Sequence, residues 1–263
     1  YEVLRGLIEH AAASSDVART DRRDLWMRGA GFYREHLRDV DAAERCLLSA
    51  LEVDPEHEPA HEALTQLLRD AQRHADLVAA LSRWADQEVD RFVAIGRLVE
   101  AAQIAEGPAN DLERAVRCYE RILELDGGQA DALDQLIRIH EAASRHGKVV
   151  KLLDRRIEAE TDPDVRRTLR ARAAGLRTTL DDREGAVRLY LGNLDDEPND
   201  VEAMRALKSL YEQLERWDEL VDILGRLLEV SDTPEQRVGV RVQLALISEQ
   251  KLGQTSQAID QLT

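Results

Sequence analysis

Residues 45–54 read RCLLSALEVD, and residues 117–126 read RCYERILELD. A shift of 72 positions pairs Arg45 with Arg117, Cys46 with Cys118, Leu51 with Leu123, Glu52 with Glu124 and Asp54 with Asp126. The register holds outward from there: Ala60 meets Ala132, Leu64 meets Leu136, Arg73-His74 meets Arg145-His146, and Leu81 meets Leu153. A further shift of 71 pairs Val116 with Val187, Tyr119 with Tyr190, Leu136 with Leu207, Leu153 with Leu224 and Pro163 with Pro234. Repetition at a fixed period is the mark of a stacked repeat architecture and takes precedence over the reading of any single element.

Within each period the shared apolar positions recur three and four residues apart, as in Leu169, Ala173, Leu176 and Leu180, which puts them on one stripe of a helix. Four such stripes fit in a period. They are separated by turn chemistry at Asp54-Pro55, Gly127-Gly128, Glu197 to Asp200 and Asp232 to Pro234. Helices of roughly 13 to 17 residues joined by short turns are marginal alone and must bury their stripes against neighbours. Composition agrees. Of 263 residues 43% are hydrophobic, enough for a core, while aromatics are only 4% and Ala, Leu, Glu and Arg dominate, which favours helix over strand.

Charge narrows the function classes. The formal net charge of −16 disfavours a nucleic-acid partner, because phosphate binding rests on Lys and Arg displacing counterions. No apolar run reaches the roughly 20 residues of a membrane span, so no membrane insertion is expected. Cys46 and Cys118 sit at equivalent repeat positions, four helices apart, and read as small buried hydrophobes rather than a disulfide. The scarcity of Lys beside Arg fits a GC-rich, bacterial genome. No secretion pattern is present, which leaves the compartment open with a cytoplasmic location as the expectation.

The four-helix period divides into two helix pairs, and these resemble the tetratricopeptide repeat family. Between Glu202 and Glu235, residues Ala203, Leu207, Tyr211, Trp217, Leu220, Leu224 and Leu227 fall at the family's packing positions, with Pro234 near the closing one. In the alternate pair Ala30, Ala102, Ala173 and Ala245 take the small-residue site, and Ala43, Ala115, Ala186 and Ala258 the second, 13 residues later. That spacing is one longer than the family's, which places an extra residue in the inter-helix turn of each alternate pair. The resemblance implies an all-α, right-handed superhelix of about seven helix pairs. It covers residues 1–263 as one continuous solenoid, from a lone second helix at Tyr1 to Ala13 to an interrupted one at Thr255 to Thr263. With both ends cut inside a pair and no polar capping helix, a longer parent protein is expected.

Little catalytic chemistry stands out. His57-Glu58-Pro59-Ala60-His61 matches H-E-x-x-H, but Pro59 places it at a helix start, and the equivalent stretches, Gln129 to Leu133 and Asp200 to Met204, lack histidine. A solvent-facing helix start is the expected reading. His74 and His146 recur where the third period has Trp217, so that slot is read as one for a flat ring packed between helices. No enzyme activity, cofactor or metal is expected of these residues.

The resemblance also implies that the first helix of each pair lines a concave groove, and its groove positions map onto Arg138, Arg167, Arg170, Arg177 and Arg205. These would form a basic strip able to clamp an acidic peptide through bidentate bonds. The plainer alternative is an exposed lattice in which Asp134, Glu141, Glu202 and Glu212 neutralise them. The family's carboxylate clamp for chaperone tails is set aside, because its positions hold Met27, Gly31, Glu62 and Gln66. The expected function is a protein-interaction scaffold that binds a peptide or partner helix. The alternative is a structural spacer or oligomerisation rod that self-associates through its uncapped ends.

Overall fold

The computed structural model describes residues 17–254, together with Gly6 and His10. The second helices expected over Tyr1–Ala13 and Thr255–Thr263 fall, apart from those two residues, outside the described part. All regular structure among the described residues is helical. In chain order α1 is Arg19–Phe32, continued by a π-turn at Tyr33–Leu37, α2 is Val40–Val53, α3 Glu58–Asp70, α4 His74–Gln87, α5 Arg91–Glu106 and α6 Leu112–Leu125. There follow α7 Ala130–Ala142, α8 His146–Ala159, α9 Pro163–Thr179, α10 Arg183–Asp196, α11 Val201–Gln213, α12 Trp217–Glu229 and α13 Pro234–Gln250. The breaks at Asp54-Pro55, Gly127-Gly128 and Glu197–Asp200 fall between helices, and at Asp232–Pro234 the proline is already the first residue of α13.

The chain forms two compact units, Tyr1–Ala132 and Leu133–Thr263. In each, helices pack extensively only on their immediate neighbours in the chain, as an array of helix pairs requires. The alternate pairs α1–α2, α5–α6 and α9–α10 are in more extensive contact than α3–α4 or α11–α12. Ala30, Ala43, Ala102, Ala115, Ala173 and Ala186 are all buried, and their small side chains let the two backbones approach. In the C-terminal unit Ala174, Ala186, Leu207, Tyr211, Leu220 and Leu224 belong to one core cluster, and Ile137, Val149, Leu153, Leu169 and Ala173 to a second. Both cysteines are free and buried.

Capping repeats with the period. The carboxylates of Asp39, Asp111 and Asp182 accept hydrogen bonds from the backbone N–H of Ala42, Arg114 and Gly185 at the starts of α2, α6 and α10. Asp90 and Asp162 do the same for α5 and α9. Four first helices end in a left-handed residue that is not glycine: Gln72, Ser144, Asp181 and Glu215, with φ of 56°, 54°, 64° and 55°. In each case the next N–H closes back five residues, from Arg73 to Leu68, Arg145 to His140, Asp182 to Arg177 and Arg216 to Tyr211.

The extra residue of the alternate pairs is accommodated differently in each, which corrects the expectation of a longer turn throughout. Between α1 and α2 it is absorbed by the π-turn Tyr33–Leu37, closed by Arg38 at φ 51° and by Asp39 N–H bonding to Tyr33 O. Between α5 and α6 it does lie in the turn, Gly107–Asp111, where Asp111 N–H reaches back to Ala105 O. Between α9 and α10 the turn is no longer than that between α11 and α12, and the residue instead extends α9.

Candidate functional site

The first-helix face of the C-terminal unit carries the arginines singled out by sequence. Most are engaged by their own surroundings. Arg167 pairs with Asp164 one turn earlier at 2.6 Å. Arg170 donates to Gly192 O at 2.7 Å and to Asp196 at 2.6 Å, both on α10, where Arg166 also pairs with Asp196. Arg177 bridges Asp154 of α8 and Asp182 of the following turn, each at 2.6 Å. Arg138 donates to Gln135 at 2.8 Å. Arg205 alone of the five is exposed with no ion pair or hydrogen bond among the described residues.

The carboxylates expected to neutralise this set are mostly engaged elsewhere. Asp134 pairs with Arg156 at 3.3 Å, Glu141 takes a bidentate contact from Arg172 of α9, and Glu212 sits 3.9 Å from Lys208. Acids on α8, α9, α10 and the α9–α10 turn do the work instead. The hydrogen bond from Arg166 holds the Asp196 carboxyl below its ordinary range against the opposing effect of burial, and Arg170 adds to it. Periodic stripes locate which helix an arginine belongs to, but a side chain of this length chooses its acceptor from everything within reach.

Arg205 opens onto a cavity of about 380 Å³ between α11, α12 and α13. Its floor is apolar, with Val201, Leu224, Leu227 and Val240. Its polar lining also includes Lys208, one turn from Arg205 on α11, Ser231 and the carboxylate of Asp232 before α13, and the amides of Gln236 and Gln243 from α13. Lys208, Gln236 and Gln243 were not anticipated. The spacing of Lys208 from Arg205 was readable as one helical stripe, whereas the contribution of α13 depends on how the two first helices stack.

The histidines singled out by sequence sit in unlike surroundings. His61 is buried rather than solvent-facing: its ring stacks on Trp84 at 5.1 Å and 3° between planes, and its Nε2 lies 2.8 Å from Pro55 O, to which it donates. His57 precedes α3 and faces Asp54. Among the described residues no group of three or more His, Cys, Asp or Glu side chains is placed to hold a metal. In the flat-ring slot Trp217 packs on the core cluster with Lys251 Nζ 4.7 Å from its ring, and His74 is half-buried, but His146 is exposed and does not pack between helices.

Burial pushes the His61 imidazole below its ordinary value. Arg97, which lies 3.7 Å over the Trp84 ring, Arg83 and His57 push the same way, against the bond to Pro55. The folded chain therefore holds His61 neutral, while the unfolded chain takes up a proton below about pH 6.5. Stability of the N-terminal unit is expected to fall as pH drops through that value, by at most about 1.4 kcal/mol per pH unit from this one proton. Urea unfolding at several pH values checks it, and His61→Gln should flatten the slope by that one proton.

Short helix pairs stacked on their neighbours, with a partly charged cavity between successive pairs and no helix among the described residues long and apolar enough to cross a membrane, define a helical-repeat scaffold. The tetratricopeptide repeat family matches residues 203–238, the α11–α12 pair with the start of α13. The α11–α12 pair is thus a tetratricopeptide repeat within an array of stacked helix pairs, and arrays of this kind in general serve protein–protein interaction. Similar solved structures include PilF of Pseudomonas aeruginosa, at 14% identity and TM-score 0.35, covering 93% of this chain and 91% of that one. A tetratricopeptide repeat protein from Parabacteroides merdae is similar at 14% identity and TM-score 0.34, over 91% of this chain and 90% of that one. In the Cut9–Hcn1 hetero-tetramer of the APC/C one chain is similar at 12% identity and TM-score 0.36, over 86% of this chain and 42% of that one. No curated protein matches the sequence.

Proposed function

We propose that this chain is an interaction scaffold that holds a peptide or helix of a partner protein along the first-helix face of the C-terminal unit, at the cavity beside Arg205. One observation carries the reading. Arg205 is an unpaired guanidinium beside Lys208 at the edge of an apolar floor, in a unit where Arg167, Arg170 and Arg177 are internally neutralised. An acidic side chain beside an apolar one would satisfy both features at once, the carboxylate on Arg205 and the apolar group over Leu224 and Val240. The repeat period runs unbroken across both units, and the reading takes residues 1–263 as one array.

Panning a random peptide display library against wild type and against Arg205→Glu/Lys208→Glu tests it. Enriched peptides should pair an acidic with an apolar residue and lose about tenfold or more in affinity on the double reversal, a difference of about 1.4 kcal/mol or more. Peptides that bind both proteins equally would sink the reading.

A further inference from the structure

An opening in the N-terminal unit lies among α4, α5 and α6. It has a volume of about 540 Å³. Val78 of α4 and Leu98 of α5, both buried, contribute apolar surface, and Arg114, Arg117 and Arg121 come from α6. Those three stand at i, i+3 and i+7, so one helix face presents all of them to the opening. Asp86 is the only carboxylate lining it.

The three guanidiniums are not equivalent. Arg114 is fixed by Ala75 O at 2.6 Å and Asp111 at 3.1 Å, and Arg121 by Asp86 at 3.3 Å and Glu124 at 2.5 Å. Among the described residues Arg117 has only Glu113, at 4.0 Å, and both side chains are largely in water, 62% and 92% exposed. A pair that open contributes almost nothing and exchanges readily for a better acceptor. The opening thus has two guanidiniums held in place and one free to close on an incoming group.

Nor does the repeat itself call for this set. Arg45 and Arg188 occupy the place of Arg117 in the neighbouring periods, but Ala42 and Gly185 stand where Arg114 does, and Ser49 and Gly192 where Arg121 does. The triplet occurs once, in a chain with 52 acidic and 36 basic residues.

We propose that this cleft is a second docking site, independent of the cavity beside Arg205, and that its occupant is an acidic segment of a partner protein which also carries an apolar side chain. Its carboxylate takes Arg117 away from Glu113, with Arg121 alongside, and its apolar group covers Val78 and Leu98. Charge complementarity at Arg117 selects this occupant: Asp111, Asp86 and Glu124 already hold Arg114 and Arg121, Arg117 has only the open contact to Glu113, and desolvation at the apolar floor strengthens a new pairing relative to an open surface. A nucleic acid would meet the same arginines, but the chain's overall acidity opposes a polyanion with no apolar contact to offer.

The test uses the whole chain and a fluorescein-labelled helical peptide of glutamate, alanine and leucine, followed by anisotropy. With the first site removed by Arg205→Glu/Lys208→Glu the chain should still bind it, and adding Arg117→Glu/Arg121→Glu to that background should weaken binding about tenfold or more. Replacing glutamate by lysine, or leucine by serine, in the peptide should each weaken binding. Circular dichroism verifies that the variants fold; should the reversal not fold, Arg117→Gln, at an exposed position, should weaken binding in the same direction. The proposal is overturned if binding is lost entirely in the Arg205→Glu/Lys208→Glu background, if the α6 substitutions leave affinity unchanged there, or if a single-stranded oligonucleotide competes more tightly than the peptide.

Discussion

Leu207→Ala is expected to destabilise the C-terminal unit by about 2–5 kcal/mol, the range for emptying a fully buried leucine site. Leu207 is 0% exposed and shares its cluster with Leu220 and Leu224, which are equally buried, and with Tyr211. Its cluster draws residues from both helices of the α11–α12 pair, so relaxation around the void is limited by two helices rather than one. Because each pair leans only on its neighbours, the damage should be graded along the chain. Hydrogen exchange resolved by peptide should show protection lost most in α11 and α12, less in α9, and least in α1 to α4. A uniform loss from Arg19 to Gln250 would mean that the array unfolds as one cooperative block.

The second large effect runs the opposite way, from too much volume. Ala173→Leu adds bulk where α9 and α10 make one of the most extensive contacts in the chain, and Ala173 and Ala186 are both 0% exposed. Overpacking of this kind costs typically about 1–3 kcal/mol, and the tight alternate pair leaves no empty space to take up the excess. Lys208 on α11 is by contrast only half-buried, so Lys208→Leu should be tolerated. Urea midpoints of the two variants make the comparison. Equal losses would show that the alanines do not mark a closer approach.

The contrast between these two kinds of pair was legible before any coordinates. Apolar stripes at helical spacing, and alanines recurring at one period, carried the helix count, the pairing and the close contacts, because burial and backbone approach act on residue size and residue size is written in the sequence. Helix ends were less legible. Turns marked by Pro55, Gly127-Gly128, Pro198 and Pro234 could be read, but Gln72, Ser144, Asp181 and Glu215 adopt left-handed conformations that glycine would adopt more cheaply, so composition gives them no flag.

The candidate site was legible only in part. Arg205 was picked out and lines a cavity, but Arg167, Arg170 and Arg177 turn toward Asp164, Asp196, Asp154 and Asp182, a choice settled by three-dimensional reach rather than by position in the repeat. His61 was misread for a related reason. A histidine in the first turn of a helix is ordinarily wet, and only the stacking of Trp84 from the next helix encloses it.

The bend inside each alternate pair has a practical side. One surplus residue is taken up there as a π-turn, as a wider loop or as added helix, and in all three cases the following aspartate, Asp39, Asp111 or Asp182, still caps the next helix on schedule. A joint with three solutions to the same length problem is a natural place to splice in foreign sequence. Gly107 to Asn110, already the roomiest of the three, is where a tag or reporter loop could be grafted with the least disturbance to the stack.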